Sequence, residues 1–110
     1  MGRTMLAVLL LTAIGCGGSG ASGATCPTNS TLTYENFGRG FFASYCDRCH
    51  ASGIRPTINN QAAIQAQRAK IDEVAAAGPD GVNTSMPESG AAPSEADRRK
   101  LGEWLACGAR

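Results

Sequence analysis

Five consecutive residues, Cys46-Asp47-Arg48-Cys49-His50, hold the chemistry that is easiest to read in this chain. On one helical turn, side chains at i and i+3 share a face. Two thiols so placed can each add across one of the two vinyl groups on a haem edge, which makes two thioether links. His50 follows at once, so its imidazole is presented to the iron as the porphyrin is fixed. Residue types and spacing are all required by that geometry, and one covalently attached haem c is the expected cofactor. Two other chemistries suit the residues less well. A redox dithiol needs a βαβ setting, and no strand-like alternation surrounds the motif. A structural zinc site needs four ligands. Cys26 and Cys107 could complete that set, but the adjacent Cys49 and His50 would have to chelate one ion at short range.

The second axial ligand follows by elimination. His50 is the only histidine, so two imidazoles from one chain are excluded. Of three methionines, Met1 and Met5 belong to the leader, which leaves Met86. It lies in the polar stretch Asn83-Thr84-Ser85-Met86-Pro87, where the proline stiffens the chain and removes a backbone donor. Met86 is the expected ligand; Lys70, Lys100 or an open position are the alternatives. A lone loop methionine is otherwise a surface residue or a gap filler.

These residues must be carried by a small chain. The 110 residues allow one domain and exclude architectures such as an eight-stranded α/β barrel. Only six residues are aromatic and fourteen are glycine, so the fold needs a staple or a cofactor. Ten basic against nine acidic residues give no electrostatic case for nucleic acid.

The chain opens as an address. Arg3 precedes the apolar residues 5–14, which as a helix would rise about 15 Å, half the hydrocarbon thickness of a bilayer. That length suits a signal-peptide core over residues 1–15. Ala13-Ile14-Gly15-Cys16 resembles a bacterial lipobox, with Ala13 where leucine is usual, so Cys16 is the expected lipidation site. The alternative is ordinary cleavage after Ala21 or Ala24. Either route exports the protein, and the lipid would anchor it on the periplasmic side of a membrane. Residues 16–25 read as a flexible Gly/Ser tether and residues 26–110 as the domain. Without Arg3 the basic and acidic residues balance at nine each. An oxidising compartment makes the remaining cysteines, Cys26 and Cys107, a candidate disulfide. Its loop of about 80 residues contributes roughly 4–5 kcal/mol in the chain-entropy model, less where haem already restrains the unfolded chain. Two free thiols are the alternative.

Three helices are expected. Thr33 caps the first, which runs into the cysteine motif with Phe37, Phe41 and Tyr45 on one stripe. The second spans about 60–77, with Ile64, Ile71, Val74 and Ala75 on one face and Gly78-Pro79 as its stop. The third opens at Ser94, with Asp97 in capping position, and buries Leu101, Trp104 and Leu105. No strand is expected. Asp72 and Glu73 read as a solvated helix edge, and Asp97-Arg98-Arg99-Lys100 as an exposed face with Arg99 pairing Glu103.

From Cys26 to Arg110 the chain resembles the small class I cytochromes c. Besides the cysteine motif, Gly38 and Phe42 stand eight and four residues before Cys46, where that family places a glycine and an aromatic. Leu101 and Trp104 match its last helix, and Met86-Pro87 its distal loop. The resemblance implies an all-α fold of three main helices wrapped around one covalent haem, with the first and last helices in close contact at the glycine. The family usually has a longer loop after the histidine, with a proline carbonyl accepting the imidazole proton; here Pro56 is the only candidate. Arg55 is a candidate partner for a haem propionate. The function implied is one-electron transfer by a monomer between redox protein partners, with the haem edge near Asp47 and Arg48 as the transfer face. No nucleophile–base pair suggests turnover, since Ser85 has no second histidine to activate it. A ligand sensor or peroxidase-like enzyme in which Met86 leaves the iron is one alternative. A fixed electron-transfer subunit of a larger oxidoreductase is another.

Overall fold

The computed structural model describes residues 20–110 apart from Ser52. The expected signal segment, Cys16 and the first part of the tether lie outside the described residues.

The first helical arm begins as a π-helical turn, Tyr34–Gly38, and continues through α1 (Arg39–Tyr45) and α2 (Asp47–His50). Thr33 starts it with a reciprocal capping box. Its hydroxyl accepts from the Asn36 N–H at 3.1 Å, and the Asn36 side-chain oxygen accepts from the Thr33 N–H at 2.7 Å. The aromatic stripe forms along this arm, with ring centroids 5.5 Å apart for Phe37–Phe41 and 5.1 Å for Phe41–Tyr45.

The middle helix is two pieces, α3 (Gln61–Ala66) and α4 (Arg68–Ala75), broken at Gln67. It ends at Ala75, short of the expected Ala77. Two contacts account for that stop: the Ala75 carbonyl is taken by the Arg98 guanidinium, and Ala77 and Gly78 form β1 (Ala77–Gly78) with β2 (Gly81–Val82). This antiparallel hairpin pairs Ala77 with Val82 and corrects the expectation of no strand. The last helix, α5 (Glu95–Ala106), starts where its cap was expected, the Ser94 hydroxyl accepting from the Asp97 N–H at 3.1 Å.

Trp104 on α5 is fully buried and joins α5 to the first arm. Its ring centroid lies 6.0 Å from Phe37, 6.3 Å from Phe42 and 6.5 Å from Tyr34. Each such ring buries about 150–250 Å², so this cluster supplies much of the protein's own core. The chain end is stitched to the same region. Gly108 at φ 90° and Ala109 at φ 52° turn the backbone. The Arg110 carbonyl then accepts from the Tyr34 N–H at 2.7 Å and the Trp104 indole N–H at 3.1 Å. Gln61 and Gln65 donate to the Ala109 carbonyl at 3.1 Å each, which ties α3 to the same turn. Cys26 and Cys107, 81 residues apart, are joined by a disulfide with Cα atoms 4.8 Å apart.

Packed structure starts earlier than Cys26. Ser22 is fully buried, and both its N–H and its hydroxyl donate to the Asp72 carboxylate, at 2.8 and 2.5 Å. The Ser22 carbonyl accepts from the Asp80 N–H at 2.8 Å, and the Gly20 carbonyl from the Asn83 amide at 2.9 Å. Residues 20–24 therefore form a strap over the hairpin rather than tether, and Asp72 is its anchor rather than a solvated edge. The absence of a side chain at Gly78 makes room for this strap, since a Cβ there would sit 2.6 Å from the Ser22 carbonyl oxygen. Among the described residues no helix is long and apolar enough to cross a membrane.

Candidate functional site

The first arm, the middle helix and the loop of residues 83–93 enclose one cavity of about 430 Å³, within the range of about 300–1,000 Å³ usual for cofactor sites. Its walls are apolar: Phe41 and Phe42 from α1, Ile54 and Ile58 from the next loop, Ile71 and Val74 from α4. Into this greasy space the chain places four groups able to hold iron and porphyrin. Cys46, Cys49 and His50 line it from the first arm, and Met86 from a separate segment.

Local backbone explains how the first three are presented. Cys46 sits at the junction of α1 and α2, where the Cys49 and His50 N–H groups both return to its carbonyl, at 3.2 and 3.0 Å. The chain then folds back on the motif, the Ile54 N–H donating to the Cys49 carbonyl at 2.8 Å and the Ile58 N–H to the His50 carbonyl at 3.0 Å. This short segment delivers Pro56 to the histidine: His50 Nδ1 lies 2.9 Å from the Pro56 carbonyl and 3.0 Å from that of Ile54. Both partners are acceptors, so the proton is on Nδ1 and the lone pair on Nε2. That is the tautomer an imidazole needs to ligate a metal, with its orientation held by the other nitrogen.

Cys46 and Cys49 are free thiols. Burial pushes the Cys46 thiol up to about 12; the Asp47 carboxylate adds to the rise, and Arg48 and Arg98 oppose it. Among the described residues no cluster of three or more His, Cys, Asp or Glu side chains could hold a metal ion. Asp47 Oδ1 is buried without a hydrogen-bond partner.

Met86 is half-buried and its backbone is held on both sides. Its N–H donates to the Val74 carbonyl at 2.9 Å, and its carbonyl accepts from Arg98 Nη1 at 2.8 Å. Of the alternative ligands, Lys100 does not line the cavity. Lys70 does, but its side chain is 66% exposed and lies 3.9 Å from the Glu73 carboxylate. Around the rim stand Arg48, Arg55 and Lys70 against the single carboxylate of Glu88. Arg48 also donates to the Ser89 carbonyl, so the cysteine motif and the Met86 loop touch directly.

Arg98 corrects the reading of residues 97–100 as an exposed face, for it is 3% exposed. A signal for this lay in its spacing, since Arg98, Leu101 and Leu105 fall at i, i+3 and i+7 on the buried side of α5. Arg99 pairs with Glu95, at 3.5 Å, rather than with Glu103, which accepts from Ser30 instead.

The residues present suit a haem. Two thiols at helical spacing, an imidazole with its free nitrogen available and a thioether all line one apolar cavity, and cations for two propionates stand at its rim. A mostly helical chain built around such a cavity is a c-type cytochrome domain. Residues 36–105, well over half of the chain, match the family described as cytochrome c oxidase, cbb3-type, subunit III, and the chain belongs to that family. Membership brings covalently bound haem c and a role in electron transfer. No curated protein and no solved structure matches the chain.

Proposed function

We propose that this protein is a monohaem one-electron carrier with iron ligated by His50 and Met86, exported and held at the periplasmic face of a membrane by lipid on Cys16. The observation that carries the ligand set is the shared cavity: His50, with its Nδ1 proton engaged, and Met86, with its backbone held from both sides, line the same walls. Bound there through Cys46 and Cys49, haem supplies an iron that accepts or gives one electron, and a histidine–methionine pair favours a raised potential with no open coordination position. The chain's part is to keep the ligands still. Pro56 and Ile54 orient the imidazole, Val74 and Arg98 hold the methionine loop, and the apolar walls exclude water. Arg55, with Arg48 and Lys70, suits the propionates.

The strap changes what lipidation of Cys16 would mean. Gly20, whose carbonyl is already docked on Asn83, lies four residue steps after Cys16. Extended chain spans at most about 3.6 Å per residue, so the anchor reaches roughly 14 Å from the folded domain. Such a protein rides close to the bilayer and meets redox partners held at the same surface. The family description favours a second reading, a fixed electron-transfer subunit of an oxidase. A free monomeric shuttle purifies alone after detergent extraction, whereas a subunit brings its oxidase with it.

Carbon monoxide tests the ligand set. Reduced wild-type protein is expected to bind it slowly or not at all, and Met86→Ala to bind it readily while keeping covalent haem. Ready binding by the wild type would instead favour a sensor or peroxidase-like enzyme. Anchoring is tested by Cys16→Ser, which is expected to move a free carrier from membranes to the soluble periplasmic fraction; continued membrane association would count against lipid as its anchor.

A further inference from the structure

Arg98 is a buried cation without a carboxylate. Its Nη1 donates to three backbone carbonyls: Ala75 at 2.9 Å, Asn83 at 2.9 Å and Met86 at 2.8 Å. These come from the end of α4, from the exit of the β-hairpin and from the loop beside the cavity. Among the described residues every ion pair is an exposed pair elsewhere, and none includes Arg98. Burying a charge without a counter-ion is expensive unless its hydrogen bonds are met. Closing a helix end does not require that expense, since water or a neutral donor serves as well. What a guanidinium adds is a permanent charge on a rigid planar group, whose two Nη1 N–H groups are here shared among the three carbonyls.

That arrangement bears on Met86. Its N–H is bound to the Val74 carbonyl, the Ser85 hydroxyl donates to the same carbonyl at 3.2 Å, and among the described residues only Arg98 holds the far side of the Met86 peptide. We propose that Arg98 is a positioning residue for the haem iron: it keeps the Met86 sulfur in place and, as an unpaired charge in a low-dielectric interior, disfavours the oxidised iron. This rests on Met86 being the axial ligand. The two effects are separable. Arg98→Lys retains the charge, but its ammonium, on a shorter and flexible stem, does not hold the three carbonyls in the position that the rigid guanidinium fixes. Arg98→Met retains volume and removes both charge and clasp.

The test uses holoprotein of the wild type, Arg98→Lys, Arg98→Met and Met86→Ala. Three quantities are read: the near-infrared band of the sulfur–iron bond, the rate at which the ferric protein binds cyanide, and the reduction potential. Arg98→Lys is expected to bind cyanide about tenfold faster, equivalent to about 1.4 kcal/mol in the barrier, with little change in potential. Arg98→Met is expected to bind it faster still, to show a weaker band and to have a lower potential. If both Arg98 variants lose thermal stability yet keep the wild-type band, cyanide rate and potential, Arg98 is merely structural and the proposal fails. Met86→Ala separates that failure from one beneath it. Should it keep the band and bind cyanide at the wild-type rate, Met86 is not the ligand and the reading on which Arg98 depends is what falls. Should Arg98→Met give no holoprotein, the cyanide rate of Arg98→Lys decides.

Discussion

Replacing both Cys46 and Cys49 by serine is expected to leave no covalent haem and no stably folded domain. The walls that face the cavity are apolar, and haem is the only group in the proposed architecture that covers them. Unfilled cavity costs about 24 cal/mol per Å³ where the surroundings cannot collapse, which for 430 Å³ is about 10 kcal/mol as an upper bound. Water entering the open side softens this, but hydrated Phe41, Ile58, Ile71 and Val74 then contribute little to folding. Against a stability of about 5–15 kcal/mol for a native domain, either limit takes most of what is available. The disulfide between Cys26 and Cys107 still closes the chain, so the expected product is a compact, poorly packed and protease-sensitive protein rather than an extended one. Mass spectrometry reads the missing porphyrin, and near-ultraviolet circular dichroism reads the lost packing around Trp104. A full yield of ordered protein without haem would refute the idea that the cofactor is part of the core. Single replacements retain one thioether, so they are expected to give lower yields of holoprotein with weaker attachment.

The same dependence explains which features could be read from the chain alone. Helix starts were legible because the interactions that make them are three residues long: Thr33 with Asn36 and Ser94 with Asp97 need no distant partner. The attachment motif was legible for the same reason, whereas the carbonyl of Pro56, six residues from the imidazole it meets, was suggested only by the resemblance to the small class I cytochromes c. What the sequence alone does not show depends on partners far along the chain. Ser22 and Asp72 are 50 residues apart, and nothing in a Gly/Ser-rich stretch or a pair of acidic residues announces that each completes the other. The spacing of Arg98 signals its burial but not its partners, because its three acceptors are backbone carbonyls, which carry no residue-type signal. The middle helix stops early for related reasons: its last carbonyl is claimed by Arg98 of α5, and Ala77 and Gly78 beyond it pair in the hairpin. In each case a local propensity was overridden by a tertiary contact, and two of those contacts converge on the loop that carries Met86.

Two glycines on the first helical arm should respond in opposite directions to the same substitution. Gly38 lies under the Trp104 ring, and a Cβ there would stand 2.5 Å from Cζ2 and 3.0 Å from Cζ3, with Cη2 nearer still. Trp104 is fully buried among Tyr34, Phe37 and Phe42, so its ring has little room to retreat. Gly38→Ala therefore either pushes α5 away from the first arm or forces the tryptophan off its rotamer, and overpacking of this kind costs about 1–3 kcal/mol. Gly40, two residues on, has nothing within 4 Å of its Cβ position. Alanine is better there by about 0.5–1 kcal/mol, because glycine in a helix loses more backbone entropy on folding. For a domain of this size 1 kcal/mol corresponds to about 4–8 °C in the melting midpoint. Thermal unfolding of the two holoproteins is thus expected to place Gly38→Ala below the wild type and Gly40→Ala at or above it. Helix propensity alone predicts that both rise. A drop at Gly38 alone isolates the contact with Trp104, and equal gains at both positions would mean that the helices do not meet where Trp104 now sits.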